Sequence, residues 1–207
     1  MKKTALASVI FLLCLCLTGM EMCAVAQSKQ PSPSVSLYTN LAYDAALVPN
    51  VGVQVDLPKG WAVSAAWNGS WWSGEGRSWK IYGPELTARW YFSGDQSRTR
   101  PRHPGHHMGL YGQALTYDIQ FPGKTGYMGG EPGGNLFDKA HWGVGAEYGY
   151  TFRLAERLSL DLSIGLGYMG GKYYTYEFEG GQYIWQTTER RSYWGPTRLG
   201  VTLYWHL

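Results

Sequence analysis

The sequence predicts an all-β fold, an eight-stranded antiparallel up-and-down transmembrane β-barrel, and three observations carry that prediction. Apolar and polar residues alternate with period two through most of residues 35–207, which marks strands with two unlike faces. The polar face is small and sparsely charged (Gly143, Gly145, Gly149, Ser163, Gly165, Gly167), which suits a narrow packed interior; a face meant for water carries more Lys and Glu. Tryptophans gather near the expected strand ends, at Trp61, Trp71, Trp79, Trp90, Trp142 and Trp194, together with Trp72 and Trp205. Indole prefers the bilayer interface, so these residues form two girdles in this reading.

Residues 1–26 read as a cleaved signal peptide. Lys2 and Lys3 precede an apolar run from Ala5 to Leu17, and Ala24-Val25-Ala26 supplies the small-x-small cleavage pattern. All three cysteines, Cys14, Cys16 and Cys23, fall in this segment. The mature chain therefore lacks thiols, which excludes disulfides, thiol nucleophiles and thiolate metal sites. Loss of Lys2, Lys3 and Glu21 moves the formal charge from +3 to +2, so no charge excess points to nucleic acid. Residues 27–34, QSKQPSPS, read as a flexible leader, and residues 35–207 as the barrel.

The first strand is expected at 35–44, with Val35, Leu37 and Leu41 opposite Ser36, Tyr38, Asn40 and Asp44. The second, 51–57, sets Val51, Val53, Val55 and Leu57 against Gly52, Gln54 and Asp56, and Pro58-Lys59-Gly60 turns the chain. Alternation then places strands at 61–72, 79–92, 108–120, 142–154, 158–172 and 199–207, the fifth with the most blurred pattern. Two turns on one side, 58–60 and 155–157, are short, while 121–140 and 173–192 on the other side are long. That asymmetry places short turns and both termini in the periplasm and long loops outside an outer membrane; the 93–107 connection is long for its side. Strand lengths match the roughly 9–11 residues that cross a bilayer at a tilt. Closure is required because an open edge in lipid leaves backbone groups unpaired. A soluble barrel of lipocalin type, with the two faces exchanged, is the alternative.

The chain ends in GVTLYWHL, alternating to the last residue. Leu203, Trp205 and Leu207 give the last strand an apolar, aromatic-bearing edge that resembles the signal read by outer-membrane insertion machinery, with Leu207 where Phe is usual.

Several stretches resemble an uncharacterised family of small Gram-negative outer-membrane barrels, defined only as a domain of unknown function. They are LYTNLAYDA at 37–45, PNVGVQV at 49–55, GPELTARWYF at 83–92, GVGAEYGYTFRLAERLSLDLSIGLGYMGG at 143–171 and YWGPTRLGV at 193–201. The resemblance implies an eight-stranded barrel and a genomic setting near fimbria-type genes in gut anaerobes. It implies no activity, so no catalytic residue is transferred.

Charged residues on the polar face form the first candidate site. Glu85, Glu147 and Arg198 fall near mid-barrel, and Arg89, Arg153, Asp161 and Asp56 nearer the periplasmic end. Opposite charges in a narrow lumen pair, since a buried unpaired charge is expensive. They form either a fixed polar plug or a gate in which an arginine exchanges carboxylates; an interior just wide enough for side chains favours the plug. The segment RTRPRHPGHH at 98–107 offers His103, His106 and His107, but without a carboxylate or thiolate at fixed spacing the metal signal is weak, and a solvated turn is expected. A lipid-modifying enzyme needs a histidine near a serine and an acid at the interface; His141 with Ser70 or Ser73 is the outer-end combination to check, and no G-x-S-x-G elbow exists. The aromatic segment at 173–191 is either a recognition loop for protein or glycan or an extension of its strand pair. The Gly-rich stretch at 122–134 lacks a phosphate-loop context. The sequence thus reads as a monomeric, non-enzymatic outer-membrane barrel without catalytic residues, metal or cofactor. Its partners are outer-membrane lipid and lipopolysaccharide, the insertion machinery and a surface protein or glycan. A narrow gated pore is the alternative.

Overall fold

The computed structural model describes residues 34–92, 104–130, 140–179 and 182–207. The expected signal peptide, the leader up to residue 33, the turn portion with His103 and residues 131–139 of the Gly-rich connection lie outside the described residues.

The fold is all-β. Its strands are β1 (Ser34–Asn40), β2 (Asn50–Asp56), β3 (Trp61–Gly74), β4 (Arg77–Tyr91), β5 (Gly105–Gln120), β6 (Gly126–Gly129), β7 (His141–Ala155), β8 (Leu158–Glu179) and β9 (Gln182–His206), with one short helix, α1 (Leu41–Ala45). The nine form one antiparallel sheet. Its pairings run β1–β2–β3–β4–β5–β7–β8–β9 and return from β9 to β1, so the sheet closes on itself as a ring. The ninth strand, β6, forms within the Gly-rich connection at 121–140, where the sequence predicts a loop. Pairing of β5 with β7 stops at Leu115↔His141, and β6 fills the gap between β5 and β8 beyond that point. Gly126 and Gly129 permit this, because a Cβ at either would strike the ring of Tyr176 or Tyr117.

One end of the ring carries tight turns. Pro58–Gly60 is a 3-10 turn in which Lys59 and Gly60 take positive φ (64° and 79°), and Glu156-Arg157 joins β7 to β8. The other end carries the hairpins. Alternation decides the two faces. Glu85, Arg89, His107, Glu147, Asp161 and Arg198 point inward and are buried, while Val51, Leu86, Leu110, Val144 and Leu166 point outward and stay more than half exposed. Polarity is thus inverted relative to a water-soluble domain. Among the described residues no helix is long and apolar enough to cross a membrane.

Three departures from the expected boundaries exceed two residues. β1 stops at Asn40 rather than continuing to residue 44. Asn40 caps α1 by accepting from Ala42 N at 3.1 Å, and Thr39 Oγ1 and Asn50 Nδ2 both donate to Asp44, which draws the chain out of line. The Asn40 side chain also replaces the missing strand beside β9, donating to Leu199 O and accepting from Val201 N. The segment 173–192, offered above as a loop or an extension, is an extension: β8 and β9 stay paired to Glu179↔Gln182. Its β-branched and aromatic residues suit a strand, and cross-strand pairs such as Thr175–Thr187 (2.8 Å) hold the register. Finally, β5 begins at Gly105, so His106 and His107 are strand residues and not part of a solvated turn.

Candidate functional site

Two layers fill the ring. Towards the tight-turn end lies a charged network, and towards the hairpin end lies a largely apolar cavity.

The network is centred on Glu147. Arg89 Nε donates to Glu147 Oε1 at 2.5 Å, and Arg198 Nη1 donates to the other carboxylate oxygen. Arg198 Nη2 donates to Glu85 Oε1 at 2.6 Å, and Arg89 Nη2 lies 3.9 Å from Asp161 Oδ1. Asp161 accepts from Thr151 Oγ1 at 2.9 Å and meets His107 Nε2 at 2.5 Å. Arg89 also donates to the Tyr204 hydroxyl, and each guanidinium stands over a tyrosine ring, Arg89 on Tyr204 and Arg198 on Tyr111. Five strands, β4, β5, β7, β8 and β9, therefore contribute to one chain of charges. Nearer the tight turns, His206 accepts or donates on both ring nitrogens at 2.7 Å, to Ser36 of β1 and Ser159 of β8, and clasps the seam.

Glycines on β7 and β8 make this packing fit. A Cβ at Gly145, Gly165 or Gly167 would run into Tyr111, and one at Gly149 into His107. The small residues read from the sequence as a narrow interior are sockets for particular large side chains.

Of the seven charged residues expected on the inner face, the structure brings together Glu85, Arg89, Glu147, Asp161 and Arg198, while Asp56 is buried nearer the tight turns, accepting from Ser34 and Gln54 at 2.8 Å. Arg153 does not join them. It has inward parity but sits at the end of β7 beside the Glu156-Arg157 turn, where the pairing shifts register between Arg153 and Ala155, and it is exposed. Among the tryptophans, Trp61, Trp71, Trp90, Trp142 and Trp194 lie exposed on the outer face. Trp79 does not belong with them: it shares the parity of Glu85, and its indole N–H donates to Ala46 O at 3.1 Å, just as Trp72 donates to Leu47 O. Both indoles hold down the α1 segment. Leu203, Trp205 and Leu207 lie on the outward parity of β9, Trp205 opposite Leu37 of β1 and Leu158 of β8. His106 and His107 are strand neighbours on opposite faces: His107 is fully buried, while His106 is outside against Tyr148 (2.7 Å). They cannot share a metal ion. Among the described residues no group of three or more His, Cys, Asp or Glu is placed to hold one.

The cavity has a volume of about 690 Å³ and is walled by Ile81, Leu115, Tyr117 and Met169, among others. His141 lines it, 2 % exposed, with Nδ1 lacking a hydrogen-bond partner and Nε2 3.5 Å from the Tyr117 hydroxyl. Of the two serines considered beside His141, Ser70 is committed to the Trp79 and Ile81 carbonyls, and Ser73 stands exposed opposite Ser78 near the end of β3. Arg190 and Arg191 stand exposed at the cavity's edge. On the hairpin extension, burial and then the Asp118 carboxylate (2.5 Å) hold the Tyr176 phenol above its ordinary range; a hydrogen bond to Glu189 does the same for Tyr173.

This arrangement sits on a recognisable sequence. The chain belongs to the family described as Protein of unknown function (DUF3575), which it matches over residues 9–207. No curated protein matches it. In this DUF3575 chain the sequence offers His107 only as a weak metal ligand and not as the partner of Asp161, and it does not point to Tyr204, the α1 segment or the cavity. The alternation of His107 with Gly105, Gly109 and Tyr111 was the available signal for the first. Nothing local signals the cavity, because its walls come from β4, β5, β6, β7, β8 and β9.

Proposed function

We propose that this DUF3575 protein is an eight-stranded outer-membrane β-barrel of a Gram-negative cell, with both termini periplasmic. Its interior is plugged by a fixed charge network, and it acts without catalysis through the surface that β8 and β9 raise beyond the membrane. The observation that carries the reading is the inverted polarity: a belt of exposed Val, Leu and Trp surrounds a ring whose buried residues are mostly polar or charged. An apolar belt of that extent demands lipid or protein around it. A closed ring also leaves no unpaired edge for lipid to meet. β6 adds a short strand at the hairpin end without entering the eight-membered circuit. The partners are outer-membrane lipid and lipopolysaccharide, the insertion machinery for the apolar edge at Leu203, Trp205 and Leu207, and a surface protein or glycan for the Tyr- and Trp-bearing hairpin. The barrel is monomeric.

A gated pore would need Arg198 to move between carboxylates, but Arg198 already bonds Glu85 and Glu147 together. Separated outer membranes run on SDS gels with and without boiling test the proposal. The expected result is a faster unboiled band, protease cuts on intact cells confined to the hairpin end, and electrically silent planar bilayers. A soluble protein without a heat shift overturns the membrane reading, and steady single-channel conductance overturns the plug.

A further inference from the structure

We propose that the cavity at the hairpin end binds a small anionic amphiphile: an aliphatic or aromatic body with a single carboxylate or phosphate head. Its volume of about 690 Å³ falls within the ~300–1,000 Å³ of small-molecule sites. Its wall has the composition such sites share, mostly apolar with a few convergent polar groups. Ile81, Leu115 and Met169 offer the aliphatic surface, and Tyr117 adds an aromatic one.

Two observations select the head group. Arg191 lies on the inward row of β9, opposite Gly171, and its charge reaches His141 and Tyr117 electrostatically. Among the described residues Arg191 forms no ion pair, unlike the two arginines of the plug. Glu189, two positions away, is engaged by the Tyr173 hydroxyl. A free guanidinium at the edge of an apolar chamber is suited to an anion. Independently, His141 is buried with Nδ1 unsatisfied, and an orphaned buried polar atom in a native fold calls for a partner. Gly171 keeps that position open, because a Cβ there would press on the imidazole. The head group meets Arg191, the body lies against Leu115 and Met169, and His141 takes a hydrogen bond from or gives one to the ligand's polar end.

The test uses full-length protein in nanodiscs of zwitterionic lipid, with a fluorescent C12 carboxylate as probe and empty nanodiscs as background. Decanoate and decyl phosphate are expected to displace the probe about tenfold better than decanol or decyltrimethylammonium. Arg191→Gln should erase that preference while leaving decanol unchanged, and Met169→Trp should abolish displaceable binding. Both variants must keep the wild-type heat shift; Met169→Ala, which enlarges the cavity, serves as the second variant if the tryptophan prevents folding, and should favour a longer-chain acid. Mass spectrometry of an organic extract of protein taken from native membranes separates the sources. A co-purifying single-chain lipid assigns the ligand to the membrane, and an empty extract with tight decanoate binding assigns it to the surroundings. Probe binding no better than empty nanodiscs, or binding that Arg191→Gln and Met169→Trp leave intact, overturns the proposal. A lost heat shift in the wild-type chain would instead overturn the barrel reading.

Discussion

Glu147→Gln tests whether the interior is held together by a dry charge network. The substitution keeps the side chain's volume and one acceptor oxygen but removes the charge on which two arginines converge. Arg89 approaches one carboxylate oxygen at 2.5 Å and Arg198 the other, and neither arginine is exposed beyond a few per cent. Breaking a buried ion pair costs about 3–5 kcal/mol. Each arginine retains a second carboxylate, Glu85 at 2.6 Å and Asp161 at 3.9 Å, so the lower end applies, about 3 kcal/mol. With a urea slope of about 2–3 kcal/mol per molar, the unfolding midpoint should fall by about 1–1.5 M. The midpoint is read by tryptophan fluorescence and by loss of the folded band on unboiled gels. Glu85→Gln relieves Arg198 alone and should move it by less than half as much. A Glu147→Gln midpoint within about 0.3 M of wild type would refute the reasoning, because the charges would then be screened by water as surface pairs are.

Three further outcomes follow from the same geometry. His107→Ala should destabilise by about 2–3 kcal/mol, since it strips a partner from buried Asp161, whereas His106→Ala on the outer face should cost under about 1 kcal/mol; millimolar nickel or zinc should shift neither melting temperature. Gly145→Ala should cost about 1–3 kcal/mol or block folding, because its Cβ meets both the Tyr111 hydroxyl and the Leu166 backbone carbonyl, and urea titration measures the loss. Tyr176→Phe removes the phenol bonded to Asp118 and should loosen β6, seen as faster proteolysis around residues 121–125 with an unchanged global midpoint.

The strand pattern was legible because period-two alternation survives wherever one face is apolar, as in Val51–Asp56 or Trp142–Leu154. It failed where a polar side chain replaced a backbone partner: nothing in the alternation of LYTNLAYDA says that Asn40 will cap a helix and stitch to β9. The extension at 173–192 alternates less clearly because tyrosines stand on both of its rows, as in the adjacent Tyr173 and Tyr174. Glu85, Arg89, Glu147, Asp161 and Arg198 were legible as a group because a charge on the enclosed face must be paired. Arg153 obeys the same parity, but the ring's end releases it to water, and parity carries no information about depth. Trp79 shows the converse: its position near a strand end suggested an outer girdle, while odd parity on β4 sends it inward to Ala46.

The clasp of Ser36 and Ser159 on His206 has a consequence for how the molecule is made. Seven of the ring's eight joints link strands that are neighbours in the chain or nearly so. The eighth joins positions 170 residues apart, through the Thr202–His206 ladder flanked by the Asn40 bonds to Leu199 and Val201 and by Leu207 N–H on Val35 O. Closing a loop of that length from a random chain costs about 2.5 kcal/mol more than closing one of ten residues. Hairpin-by-hairpin growth avoids that penalty by bringing the two edges together before they meet. A chain interrupted before Leu199 could still build those seven joints, yet it would remain an open ribbon with two raw edges. Joining its ends is therefore a test of completeness, and the molecule changes from ribbon to tube only when its final strand arrives.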